Sequence, residues 1–185
     1  VPGGVVVVSK GGAVSEEYGD VIFACHSDQA LALLGPGAST AENSALGAIK
    51  YQANEVYLHS DVSFMPRTRA AWASWNCLKG SRGTTGDDKS VCVSYWVNLL
   101  QNLPAGTPDL FVTLNPPTPP APHTVQRQFT MSHPLFNQAA IEAQRVIADT
   151  QGAGGVWFCG AWCGYGFHED GIRSAVTVAD LMLGK

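Results

Sequence analysis

The stretch from Val156 to Ala179, VWFCGAWCGYGFHEDGIRSAVTVA, constrains the fold more than any other part of the chain. Apolar Val156–Cys159 reads as a buried strand, followed by a turn that carries Gly160, Gly164 and Gly166. A helix rich in small residues then starts near Asp170, with Gly171 in its first turn. Glycine lets a backbone come close to a ligand. A helix start offers N–H groups without intrahelical acceptors, together with the positive end of the helix dipole. Such a device binds a phosphate or stabilises negative charge on a ligand.

Charged residues make up 14% of the 185 residues, well below the roughly 25% usual for soluble domains. A chain so poor in charge hides much of its surface, against its own core or against a partner. The apolar run Val5–Val8 looks like a strand already inside a sheet. Because Val1 is not a methionine, a processed precursor, a split protein or a piece of a longer chain is expected. The net charge is −4, and no cluster of Lys and Arg exceeds the pair Arg67 and Arg69. Capture of nucleic acid needs a basic face, so that class of partner is disfavoured. The longest uncharged stretch, Ser90–Pro108, is interrupted by Ser94, Asn98, Gln101, Asn102 and Pro104. A spanning helix needs about 20 mostly apolar residues, so no transmembrane segment is expected. Five cysteines (Cys25, Cys77, Cys92, Cys159 and Cys163) follow no disulfide rhythm and supply no ligand pairs at zinc spacing. They read as small buried hydrophobes in a reducing compartment, cytoplasmic or organellar, and no metal is expected.

Val5–Ser9 and Val21–Cys25 read as strands, the second with the continuous apolar pattern of a sheet buried on both faces. Ser27 is placed to cap a short helix, Asp28–Leu34, stopped by Gly35-Pro36-Gly37. In the middle, Glu55–Ser60, Ser90–Asn98, Leu110–Leu114 and Val125–Met131 look like strands, and Ala70–Asn76 carries Trp72 and Trp75. The glycine-rich loop Ser81–Lys89 and the proline-rich connector Asn115–His123 separate them. Several antiparallel strands with long loops indicate an α+β region. Pro134 suits a first helical turn, and Leu135, Ala139, Ala143, Val146 and Ile147 continue at helical spacing to about Thr150. In the last helix Ile172, Ala175, Val176, Ala179 and Met182 form one apolar stripe.

On the segments GDVIFACHSDQALALL, NEVYLHSDVSFMPRTRAAWASWN, VSYWVNLLQNL and FCGAWCGYGFHEDGIRSA, the chain resembles the C-terminal portion of the flavin-containing, FAD-dependent amine oxidoreductase family. It looks closest to a branch of NAD/FAD-binding proteins associated with cyclopropane fatty-acid synthases. The resemblance implies an α/β fold with an α+β insert. Residues 1–39 and 151–185 would be parts of an incomplete FAD/NAD(P)-binding Rossmann-like domain, and residues 40–150 an antiparallel-sheet substrate domain. It implies an FAD-dependent oxidoreductase acting on a lipid or other apolar substrate. Gly160 and Ala161 would meet the cofactor's ribityl chain. Asp170, Gly171 and Ile172 would point the last helix at the flavin's pyrimidine ring. Trp162, Tyr165, Phe167 and His168 would approach the ring or the substrate cavity, with His168 the candidate catalytic group.

The chain departs from that pattern in two places. Many relatives carry Gly-Glu where this chain has Gly160-Ala161, and no G-x-G-x-x-G occurs anywhere. Gly164-Tyr165-Gly166 is followed by Phe167, His168 and Glu169, without the third glycine. The diphosphate-binding fingerprint would then come from an N-terminal half of the same protein or from another polypeptide, without which FAD is not held tightly. A second class follows from that gap, a non-catalytic structural or interaction subunit of a larger assembly.

Plainer readings stand beside these. His168-Glu169-Asp170 suits a helix start, where acidic residues offset the dipole. Trp162-Cys163-Gly164-Tyr165 lacks the second cysteine of a redox pair, because Gly166 stands there. His26 and Asp28 suit capping. Trp72, Trp75, Tyr95 and Trp96 suit core packing or an apolar substrate lining. Arg67 and Arg69 suit a solvated pair or the capture of a substrate carboxylate.

Overall fold

A computed structural model of the chain describes residues 4–9, 11–12, 15–78 and 92–185. Val1, Lys10, the expected loop Ser81–Lys89, and Ser90 and Val91 of the expected strand Ser90–Asn98 lie outside the described residues. In chain order the elements begin with β1 (Val5–Val8), β2 (Ser15–Tyr18), β3 (Val21–Phe23), α1 (Ser27–Leu34), α2 (Thr40–Ala48) and β4 (Tyr51–His59). They continue with β5 (Trp75–Leu78), β6 (Cys92–Trp96), α3 (Val97–Leu100), β7 (Phe111–Leu114) and β8 (Val125–Pro134). The last are α4 (Gln138–Thr150), β9 (Val156–Phe158) and α5 (His168–Met182). The fold is mixed α/β, with two compact units, Val1–Gln52 with His133–Lys185 and Ala53–Ser132.

In the unit that holds both ends, β3 and β9 pair in parallel, Val21 opposite Val156 and Phe23 opposite Phe158. The Phe23 and Phe158 rings stack at 5.7 Å. Ile22 is 48% exposed, so β3 is covered on one face and not on both as its apolar pattern suggests. The four valines of β1 also depart from expectation. They form a hairpin with β2, whose Glu16 and Glu17 cannot enclose them, and Val6, Val7 and Val8 are exposed.

Helix α1 starts one residue earlier than expected. Gln29 Oε1 accepts from the His26 N–H at 3.2 Å, while Ser27 turns inward and gives its N–H to the Tyr51 hydroxyl at 2.9 Å. Ser27 is therefore buried and not the cap. Helix α2 opens on a reciprocal pair in which Ser39 Oγ accepts from the Glu42 N–H and Glu42 Oε2 accepts from the Ser39 N–H. Helix α4 begins at Gln138, capped by the Asn137 side chain at 2.9 Å from the Ala140 N–H. Pro134 does not start it; that residue ends β8, and the next N–H, of Leu135, bonds to the Lys50 carbonyl at 2.8 Å. The buried face of α4 is Ala140, Ala143 and Ile147, while Val146 is exposed. These residues join Ala30, Ala45, Leu46, Phe158 and Trp162 in one core, where alanines let the helices approach. Each fully buried large side chain such as Phe158 or Leu46 contributes roughly 1.5–3 kcal/mol.

The central unit is built on a five-stranded sheet in the order β5-β6-β7-β4-β8. Antiparallel registers set Val56 opposite Leu114, Ser94 opposite Thr113, and Trp75 opposite Tyr95. Phe111, Val56, Phe64, Met65 and Cys92 fill its core. A polar chain runs through the same interior. His59 Nε2 lies 2.8 Å from Thr113 Oγ1, which lies 2.8 Å from Ser94 Oγ, and all three residues are fully buried. The Asp61 N–H donates to His59 Nδ1 at 3.1 Å, so the ring proton sits on Nε2 and points at Thr113. Burial holds His59 below its ordinary pKa, against the pull of Asp61.

Candidate functional site

The expected ligand-facing segment sits where the carboxyl ends of β3 and β9 lie side by side. The Cys159 N–H continues the ladder to the Phe23 carbonyl at 3.1 Å, and the Trp162 indole N–H reaches the Cys25 carbonyl at 2.8 Å. Gly160 takes a φ of +152°. A Cβ there would stand 2.7 Å from the Trp162 ring nitrogen. The room left by this glycine is thus filled by the protein's own tryptophan. Trp162, expected to approach a ligand ring, is placed in the core with 2% exposure, where it ties the two strand ends together.

The turn bends through Ala161–Cys163 and folds back on itself. Gly160 O accepts from the Cys163 N–H, and Ala161 O accepts from the Gly164 and Gly166 N–H groups. Asp170 is 8% exposed, and its Oδ2 takes the Tyr165 and Phe167 N–H groups at 3.0 and 3.1 Å. Gly164 is required by that grip, because a Cβ would stand 2.6 Å from Asp170 Cγ. Asp170 therefore works as an anchor for the turn, with Arg173 3.4 Å away on its other oxygen. Ser174 Oγ accepts the Gly160 N–H at 2.9 Å and donates to Gly171 O at 2.7 Å, locking α5 against the turn.

Gly160, Ala161 and Gly171 come together, since a Cβ on Gly171 would meet Ala161 N at 3.6 Å. The N–H groups of His168 and Glu169 have no acceptor among the described residues, as befits a helix start. Tyr165, Phe167 and Ile172 are 68%, 62% and 63% exposed around that start, and His168 is exposed on its first turn. Tyr165 leans on Phe136, their rings 6.3 Å apart. The result is a pair of free amide donors bordered by exposed aromatic and aliphatic surface. Such a start can take an acceptor or anionic group beside those exposed rings.

The neighbouring thiol is held in its protonated form. Burial, with Cys159 beside it, pushes Cys163 up to about 12, and a hydrogen bond from Ser174 only partly offsets this. Thiolate is the reactive form, so Cys163 reacts slowly near neutrality. A cleft of about 200 Å³ lies behind the turn between α4 and α5, lined by Gln144, Ile147, Gln151, Cys163 and Leu181. Cofactor-sized pockets run to roughly 300–1,000 Å³, so this cleft is too small for a dinucleotide. In the central unit Arg69 is already engaged by Asp109 at 2.6 and 3.1 Å and lies over Trp72 at 4.0 Å. Trp96 donates to the same carboxylate at 2.9 Å. His26 stacks on Tyr51 at 4.6 Å, and Asp28 accepts from the Gln29 N–H.

Sequence reasoning missed Gln144 and Gln151, both bonded to backbone atoms of β9 and the turn. Two glutamines seven residues apart, one in the helix and one just past its end, were the available signal.

No protein-family model matches the chain, and no curated protein matches it. Among solved structures it is similar to a crystal structure described as a "putative protoporphyrinogen oxidase" from Exiguobacterium sp. 255-15, at 14% identity and a TM-score of 0.52. The likeness covers 99% of this chain and 45% of that one, so the chain spans less than half the length of the protein it matches. It lends no support to a tie with cyclopropane fatty-acid synthases. No helix among the described residues is long and apolar enough to cross a membrane. At this identity the likeness is one of fold: the chain shares the mixed α/β fold of part of that oxidase.

Proposed function

We propose that the chain supplies the ring-facing part of the flavin site in an FAD-dependent, amine-oxidase-like oxidoreductase with a lipid or other apolar substrate. The observation that carries this reading is the start of α5. Free N–H groups at His168 and Glu169 stand among exposed Tyr165, Phe167 and Ile172, beyond the carboxyl ends of a parallel strand pair. Ligands of open parallel sheets lie beyond the carboxyl ends of their strands. The fold likeness to an oxidase agrees with it.

The donors present fit one end of FAD and not the other. Gly160 and Ala161 would border the ribityl chain, and Gly171 and Ile172 the ring's pyrimidine edge, with Asp170 and Trp162 fixing the turn from behind. His168 is the group of the first turn able to hold or move a proton at a substrate. When bound, the flavin supplies two-electron acceptance, and the helix start offers partial positive charge to its reduced, electron-rich edge. No G-x-G-x-x-G is present to hold the diphosphate. That cradle would come from an N-terminal half of the same protein or from another polypeptide. In this reading the unit of residues 1–52 and 133–185 belongs to the flavin-binding domain and residues 53–132 to the substrate domain, in place of the expected bounds 1–39 with 151–185 and 40–150.

The exposed face of α5 favours the covering partner in particular. Ile172 and Val176 stand one turn apart at 63% and 53% exposure, with Leu183 at 66% beyond the helix end. A second reading, an interaction subunit without catalysis, rests on the same face. An absorption scan of the purified native assembly separates the two. Flavin bands in the visible range are expected, and an assembly that stays colourless after FAD is added leaves only the interaction role.

A further inference from the structure

Gln144 of α4 and Gln151, one residue past its end, grip the segment that the proposed function places beside the flavin. Gln144 Nε2 donates to Trp162 O at 2.9 Å and to Gly164 O at 2.7 Å. Both partners are carbonyls, so the amide must present its nitrogen. Gln151 pairs with Phe158 in both directions, Nε2 to Phe158 O at 2.7 Å and the Phe158 N–H to Oε1 at 2.9 Å. Its side chain stands in for a neighbouring strand along β9, whose partner among the described strands is β3. Gln144 lies within α4, whereas Gln151 follows its last residue with extended backbone, ψ 129°. The same helix is fixed in the core by Ala140, Ala143 and Ile147.

This grip decides which backbone atoms the turn can present. Gly160 O and Ala161 O are taken by N–H groups of the turn itself. Trp162 O and Gly164 O would be left without donors if Gln144 were absent. A carbonyl released there is free to rotate toward the ligand and repel an electron-rich edge. With these four oxygens held, the free amides beside the turn are those of His168 and Glu169.

We propose that Gln144 and Gln151 are positioning residues of the turn, holding its carbonyls back so that the start of α5 accepts an anionic flavin edge. This rests on the flavin reading above. Neither residue touches the ligand; each acts through the backbone it holds.

The test compares Gln144→Met, Gln144→Glu and the exposed control Gln138→Met in the native assembly, with FAD as the probe. Gln144→Met is expected to weaken FAD binding about tenfold, the worth of one to two lost hydrogen bonds. It should also shift the flavin absorption bands and speed alkylation of Cys163, mapped by mass spectrometry, because Cys163 lies between the two released carbonyls. Gln144→Glu should bind FAD poorly near neutrality and recover as pH falls, since a protonated carboxyl regains one donor. A merely structural glutamine would not create that pH profile. Gln138→Met should behave as wild type. If wild type takes up FAD while Gln144→Met leaves affinity, spectrum and Cys163 reactivity unchanged, the positioning role fails and the flavin reading stands. If wild type never takes up FAD, the flavin reading fails and the ligand-facing role falls with it, whatever Cys163 does.

Discussion

The central unit covers its own core with a five-stranded antiparallel sheet, and every polar group of the His59–Thr113–Ser94 chain finds a partner inside it. The terminal unit has a two-stranded parallel pair, and it leaves Ile22, Ile172, Val176 and Leu183 in solvent. Parallel strands are ordinarily covered on both faces by helices. A pair so short, with an apolar helix face beside it, is the part that the proposed function assigns to a covering partner. The difference teaches where to look for function. Among the described residues the central unit pairs the buried donors of this polar chain internally, whereas the open one has amides without acceptors at His168 and Glu169.

Truncating the two cores should have the largest effect and divide the units most sharply. Phe111→Ala and Phe158→Ala each remove a ring with 0% exposure. Each should cost about 3–5 kcal/mol in urea unfolding. Only Phe158→Ala should also reduce FAD uptake; equal loss in both would break the comparison. Next, Gly164→Ala forces a methyl against Asp170 Cγ at 2.6 Å and releases two N–H groups. A loss of about 2 kcal/mol is expected from that displaced anchor, read as a lower urea midpoint.

Much of the terminal motif was legible in sequence because glycines and a capped helix start are local signals. The strand before it and the helix after it fall within a residue or two of expectation. The start of α4 was not legible. Pro134 suits a helix start and a strand end alike, and only the Leu135–Lys50 bond decides between them. Helix α2 carries its signal openly, as Ser39 and Glu42 have capping-box spacing. Periodicity shows that α5 has an apolar stripe but not what covers it. The face turned inward instead bears Asp170, Ser174 and Val178, because Ser174 is bonded to Gly160. Trp162 was misplaced for a related reason. Its indole reaches Cys25, 137 positions earlier, and no spacing rule foretells such a bond.

Smaller effects sharpen the contrast. Thr113→Val leaves the His59 N–H buried without an acceptor, and should cost about 1–3 kcal/mol. The same histidine makes the central unit acid-labile. Its folded pKa is lowered by burial, so its neutral form is the stabilising one. That stability is fully present above the unfolded value of about 6.5 and is lost as pH falls below it. Urea unfolding at about pH 7.5 and about pH 5 should show a larger drop for wild type than for His59→Gln. The smallest change is expected from Ile172→Gln, within about 0.5 kcal/mol for the chain itself. The same substitution should lower the yield of flavin-loaded assembly, measured by co-purification and visible absorbance.

Hydrogen exchange on the native assembly, with and without added FAD, tests the central claim most directly. The account predicts slower exchange at the amides of residues 160–172, above all His168 and Glu169, and no change at residues 53–132. Unaltered exchange across 160–172, or protection confined to the central unit, would contradict it.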